Sequence, residues 1–251
     1  MRNSASGNSN SLKTFFVYGG VVLFFILISL LIKTIFVIQA SKFDGKHQFV
    51  LAIYQSDKLK EIIKFNPSAS EISVLQMEGE SLEVIPDAMV NSTADLPLGT
   101  DVAQTMKTIG FRYNSLATNL TVFDILRLIV IAYKEPVQSV NKNVSDNFFT
   151  DETISSENVS IQIVNASDVS GMGKRLENIF DNLGCNIVAV TTSRREEKFS
   201  KIQYFGRKTY TLEKLEKILD FSVEKIDKEG IADIVVIIGQ DASAGNLKFL
   251  F

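Results

Sequence analysis

VSIQIVNASDVSGMGKRLENIFDNLGCNIVAVTT, residues 159–192, decides the fold. VSIQIVN alternates apolar and polar residues with the period of a half-buried strand. Met172, Leu176, Ile179, Phe180 and Leu183 then recur with helical spacing on one face, with Ser170 as the expected N-cap. Gly184 follows the last of them, where a chain leaving a helix turns left-handed. CNIVAVTT is a second strand. Downstream, Lys201–Phe205 reads as a third strand. A helix from about Thr211 to Phe221 turns Leu212, Leu215 and Leu219 inward, and Ser222–Ile226 is a short strand. Ile231–Ile238 (IADIVVII) is almost continuously apolar, as strands buried on both faces are, and Gly239 stops it. The order β-α-β-β-α-(β)-β predicts a small mixed-sheet α/β domain over residues 159–241.

Two places in this domain are candidates for binding. The first is the strand-to-helix turn Asn165–Lys174, with Gly171 and Gly173, which feeds backbone N–H groups to a helix start where an anion would be held. It matches neither GxGxxG nor GxxxxGK[ST], so a tight structural turn is the favoured reading. The second is the basic stretch Arg194, Arg195, Lys198, Lys201, Arg207 and Lys208, set against Glu196 and Glu197. It suits an anionic polymer or lipid headgroups. The competing reading is a solvated loop and an edge strand whose lysines discourage pairing. Cys185, at a strand start, reads as a small buried apolar residue.

Upstream, residues 136–158 are rich in Ser, Asn, Asp and Glu and read as a flexible linker, although Phe148 and Phe149 are odd there and suggest local docking. Five N-x-S/T sites (Asn91, Asn119, Asn143, Asn158, Asn165) are what chance gives in a chain this rich in Asn and Ser. The region 46–135 reads as small α+β. His47–Gln55 and Ile72–Met77 are β-like, Asn66-Pro67 is a turn, and Leu82–Ile85 is a third candidate strand. Helices are expected over Asp101–Met106 and Asn119–Tyr133. In the second, Thr121 caps and Asp124 bonds back, and Val122, Ile125, Leu126, Ile129, Val130 and Tyr133 make a wide apolar stripe. Asp124 and Arg127 argue against a second membrane span there. From His47 to Asn158 the chain holds 15 Asp and Glu against 8 Lys and Arg. Glu78, Glu80, Glu83 and Asp87 alternate on strand-like sequence without ligand-loop spacing, which reads as a solvated face.

TFFVYGGVVLFFILISLLIKTIFVIQA, residues 14–40, is uncharged for its first 19 residues, enough at helical rise to cross a bilayer core. Lys33 can snorkel. The run is too long for a signal-peptide h-region, so it reads as an uncleaved single-pass anchor behind a cytoplasmic tail of residues 1–13. Flanking charges do not fix the orientation. The remaining length suits one or two domains, and a net charge of −3 argues against a nucleic-acid protein. One cysteine and one histidine, His47, exclude a disulfide framework, a cysteine zinc site, a His-based triad and a multi-His metal centre. No catalytic set, metal or cofactor is expected.

The run from Val159 to Val190, then KIQYF, then ADIVVIIGQD together resemble the LytR C-terminal domain over Val159–Asp241. Its pattern is a strand ending in Asn, a Gly turn before an amphipathic helix, a Gly before the second strand, and a closing DIVVxxGxD. Asn165, Gly171, Gly184, Gly239 and Asp241 are the matching residues. The resemblance implies an extracytoplasmic module of bacterial cell-envelope proteins with no established catalytic residues. Residues 46–135 are similar to a degenerate LytR–CpsA–Psr domain, whose members transfer anionic glycopolymers from a polyprenyl-pyrophosphate carrier to peptidoglycan. In ISVLQMEGESLEVIP the family's proline, arginine and aspartate positions fall on Glu78, Gly79 and Glu80. Losing the arginine removes a bidentate phosphate clamp. The expectation is therefore a non-enzymatic, single-pass membrane protein whose external body meets peptidoglycan or an anionic wall polymer. The alternative is a divergent glycopolymer transferase.

Overall fold

The structure is a computed structural model that describes residues 8–77, 85–140, 148–227 and 230–243. Helix α1 (Asn8–Gln39) carries the apolar stretch. Phe15–Gln39 is long and apolar enough to cross a membrane, and its side chains are exposed along nearly its whole length.

The chain leaves α1 and enters the body without slack. Ser41 Oγ and the Phe43 N–H both donate to Asp124 Oδ1, at 2.6 and 2.8 Å. Phe43 is fully buried against Phe49. Strands β1 (Phe49–Gln55), β2 (Lys58–Asn66) and β3 (Glu71–Gln76) form an antiparallel meander. Ser56 and Asp57 both take positive φ, 49° and 62°, which gives the β1–β2 hairpin a left-handed two-residue turn that suits the twist of the strands. Then come β4 (Ala88–Ser92), α2 (Val102–Phe111), the two-residue β5 (Ala117–Thr118), α3 (Val122–Lys134) and β6 (Val137–Val140). The sheet order is β5-β4-β1-β2-β3-β6, with β4 parallel to β1 and β6 parallel to β3.

Alternation sends Phe49, Leu51, Ile53, Ile63, Phe65 and Val90 to one face, under α2 and α3. Val50, Ala52, Ile62 and Leu75 go to the other, where Phe148 and Phe149 cover them. The strip read as a linker therefore holds structure at both ends: β6 extends the first sheet, Phe148 and Phe149 dock on its back, and α4 (Glu152–Glu157) adds Ile154 to the core of the following domain. Its polarity hid this, because β6 is half exposed and α4 buries only Ile154.

The capping box on α3 forms as expected. Thr121 Oγ1 accepts from the Asp124 N–H, and Asp124 Oδ2 accepts from the Thr121 N–H. Asp124 also holds the anchor's exit, so one buried carboxylate joins helix start to membrane stem. Asp124→Asn is expected to cost about 1–2 kcal/mol, the scale of a lost cap and a weakened charged hydrogen bond. Chemical denaturation of the full chain in micelles measures it.

The C-terminal domain has the expected order. It runs β7 (Ser160–Asn165), α5 (Met172–Leu183), β8 (Asn186–Thr192), β9 (Lys201–Tyr204), α6 (Tyr210–Leu219), β10 (Ser222–Lys225) and β11 (Ile234–Ile238). The sheet order is β10-β9-β11-β7-β8, and only the β9–β11 pairing is antiparallel. Inward residues of the strands pack with Leu176, Phe180, Leu212 and Leu215 of the two helices in one core. The molecule is thus mixed α/β throughout its body. Ser170 does not cap α5. Gly171, at φ +85°, takes the cap position and offers no side-chain bond. Gly184 ends α5 at φ +83°, and a Cβ there would meet Ser155 Oγ at 2.2 Å.

Candidate functional site

α6 points its middle at the first domain. Lys214 is buried between the two domains, and its Nζ donates to the Gln48 carbonyl at 2.9 Å and to Asp87 Oδ2 at 2.8 Å. Asp87 Oδ1 lies 2.7 Å from the same nitrogen, and Asp151 Oδ2 lies 3.9 Å away. Each carboxylate is satisfied elsewhere as well. Asp87 accepts from the Val50 N–H, while Asp151 accepts from the Thr153 and Ile154 N–H groups and from the Tyr210 hydroxyl. Burial, and then the Asp151 charge, push the Tyr210 phenol well above its ordinary range, so it stays a donor. The His47 ring stacks on Tyr210 at 4.1 Å between centroids and lies 2.5 Å from Asp44. Burial opposes the charge on Asp44, but the His47 N–H, the His47 ring and the Lys46 N–H outweigh it and hold the carboxyl at about 2. Glu157 completes the seam by accepting from the Tyr210 and Thr211 N–H groups and the Thr211 hydroxyl.

Asp87 is accordingly not on a solvated face. Its side chain is nine-tenths covered, because the neighbouring domain brings a cation to it. Glu78, Glu80 and Glu83 lie outside the described residues, as does most of the candidate strand Leu82–Ile85.

Beside this seam runs a cleft of about 660 Å³. Ile85, Pro86 and Met89 form one wall and Ile218 and Leu219 the other, with Lys42 and Lys217 set against Asp87 and Asp220. Lys42 stands three residues beyond the end of α1, so the cleft opens near the anchor's exit.

The candidates read from the sequence do not form one site. Asn165 is buried and folds its own turn: Nδ2 donates to the Val169 carbonyl, and Oδ1 accepts from the Ser167 N–H and hydroxyl. Gly173 sits where a Cβ would press on Val190 at 3.0 Å. With Gly171 at the helix cap, this loop carries out packing tasks. The six basic residues divide between opposite ends of β9. Arg194, Arg195, Lys198 and Lys201 lie before or at its start, while Arg207 and Lys208 follow its end, beside Glu157. Lys201 is half-buried and pairs with Glu224 at 3.7 Å.

The loop 193–199 is pinned over the end of the sheet by main-chain bonds. Ser193 donates to the Asn165 carbonyl, Glu197 to that of Ala166, and Gln240 to that of Glu197. The closing DIVVIIGQD motif explains itself here. Asp233 Oδ2 accepts from the Ser160 N–H and hydroxyl at the start of β11, and Asp241 Oδ1 accepts from those of Ser200 beyond its end. Gly239 lies so close to Phe199 that a Cβ would meet its carbonyl carbon at 2.5 Å. The result is a braced loop that leaves Arg194, Arg195, Lys198 and Phe199 exposed. Cys185 is buried, and burial, then Asp151 and Asp181, push its thiol up to about 12, which suits a packed and unreactive residue.

Residues 158–241 match the LytR C-terminal family, described as LytR cell envelope-related transcriptional attenuator. The matched span runs from just before β7 to just past β11, and so takes in both serine–aspartate clamps. No curated protein and no solved structure matches the chain.

Proposed function

We propose that this cell-envelope-related chain, whose residues 158–241 match the LytR C-terminal family, is a non-catalytic scaffold. It would be anchored by one helix, with its body extracytoplasmic and its C-terminal module seated on the wall. The observation that carries this reading is a pair of fixed joints. Asp124 holds the anchor's exit, and Lys214 holds the two domains together. A body fixed behind an anchor is suited to holding a ligand at a set position. The partner is peptidoglycan or an anionic wall polymer, met by Arg194, Arg195 and Lys198 on the braced loop. Neutralising phosphates or carboxylates with exposed cations is a salt-sensitive attraction.

The test is sedimentation of the detergent-solubilised full chain with peptidoglycan sacculi bearing anionic glycopolymer. The chain is expected to pellet at low salt. The triple change Arg194→Gln, Arg195→Gln, Lys198→Gln is expected to lower the bound fraction several-fold at unchanged melting temperature. Equal retention of that variant would remove the loop from the reading, and no retention at low salt would remove the wall. Protease added to intact cells should cut the body; protection until lysis would reverse the orientation.

A second reading, a divergent glycopolymer transferase acting on polyprenyl-pyrophosphate-linked substrates, draws on the cleft. Its apolar walls beside the anchor suit a lipid chain, and Lys42 and Lys217, offset by Asp87 and Asp220, are its cations for a phosphate. Divalent-dependent turnover of such a substrate by the purified chain would replace the scaffold reading.

A further inference from the structure

The apolar stripe expected on α3 is only half used. Ile125, Leu128 and Ala132 face the core, whereas Val122, Leu126, Val130 and Tyr133 stand about half exposed on the opposite side. At 100° per residue these four fall on one line about 17 Å long. Arg127 and Lys134 border that line on one side. Lys107 of α2 lies 4.7 Å from the centre of the Tyr133 ring. The cations thus rim the stripe. The end of α1 touches α3 directly, Val37 is half-covered in α1's last turns, and Arg127 Nη1 donates to the Phe43 carbonyl at 2.5 Å. The stripe is therefore held within a few residues of where the anchor leaves the bilayer.

We infer that α3 lies on the membrane, with Val122, Leu126, Val130 and Tyr133 seated at the boundary of headgroups and acyl chains on the body's side of the anchor. This rests on α1 being a membrane anchor. The occupant is lipid because the stripe continues from the anchor's own lipid contact. Its chemistry is also that of an interfacial helix: aliphatic residues in a row, a tyrosine, and lysine and arginine at the rim. A charged residue does lie close by, since Glu135 caps the C-terminal end of α3, but it is off the line of the stripe. Two attachments, a spanning helix and a surface helix, would fix the body's tilt as well as its height.

The chain has no tryptophan, so one introduced indole reports alone. Leu126→Trp, at an exposed position, and Thr192→Trp, on an exposed residue of β8, are compared in the full chain. Both are reconstituted in phosphatidylglycerol–phosphatidylethanolamine vesicles with or without brominated acyl chains. Flotation with the vesicles reports the anchor separately. In floated protein, Leu126→Trp is expected to emit to the blue of Thr192→Trp, to lose most of its intensity to bromolipid, and to resist iodide. Red emission quenched by iodide would overturn the inference. So would blue emission untouched by bromolipid, which would place a protein surface, such as a second copy, over the stripe. Protein that fails to float would refute the anchor instead.

Discussion

Lys214→Met is expected to destabilise the body by about 3–5 kcal/mol, the cost of leaving a buried carboxylate without its cation. Asp87 would keep the Val50 N–H and lose its charge partner, and the Gln48 carbonyl would lose its donor. Asp151 is less exposed to the change, because Thr153, Ile154 and Tyr210 all donate to it. The loss falls at a seam, so it should appear as a single cooperative transition splitting into two. Asp87→Asn added to Lys214→Met removes the orphaned charge and should recover part of the loss. A variant within about 0.5 kcal/mol of the parent would show that the seam tolerates the loss and is not a joint.

Between pH 4.5 and pH 8 the parent chain should lose about 3 kcal/mol of stability relative to Glu61→Gln, by the linkage of a raised carboxyl pKa to folding. Glu61 is wholly buried on β2. Burial pushes its carboxyl up to about 7, and the Gly99 N–H bonded to Oε2 at 2.6 Å offsets only part of that. Oε1 has no partner. Below 4.5 the group is protonated whether the chain is folded or not, so it contributes no pH dependence. Above 4.5 the unfolded chain ionises while the folded one holds its proton. The native state therefore loses ground until about 7, and the full penalty remains at higher pH. Urea melts of both proteins across this window measure the divergence. Parallel curves would mean that Glu61 ionises in place with water beside it.

The same residue shows why one strand escaped notice in the sequence. In KLKEIIKFN the pattern Leu59, Ile63, Phe65 is broken at its centre by Glu61, and the other face mixes Ile62 with lysines. The hairpin before it turns on Ser-Asp, where Asn-Gly or Asp-Gly would have signalled it. By contrast, β7 and α5 were plain, because each buries one face of a regular element against a single core. β11 reads as a strand buried on both faces, but it starts only at Ile234 and buries one face, Ile234, Val236 and Ile238, with Val235 and Ile237 partly covered. The Thr121–Asp124 capping box was legible too, since its parts lie three residues apart. The seam was not. Asp87 and Lys214 are 127 residues apart, and each in isolation looks like an ordinary solvated charge. Periodicity reports which side of an element is apolar, but it says nothing of which distant charge will be brought to a polar residue. The basic stretch divides for a related reason. Nearness in sequence does not make these residues one patch, because the strand between them carries Arg207 and Lys208 to the far end of the sheet.

The buried attachment of Ser41 and Phe43 to α3 also has a mechanical meaning. A flexible tether would let the body swing and would absorb small displacements as slack. Here the stem enters the core within four residues of the helix end. Tension applied at the C-terminal module would pass through the Lys214 seam and the Asp124 clamp into the helix, loading hydrogen bonds and ion pairs with little extension. Such a connection transmits force with little give, where a flexible one would let the body search a volume.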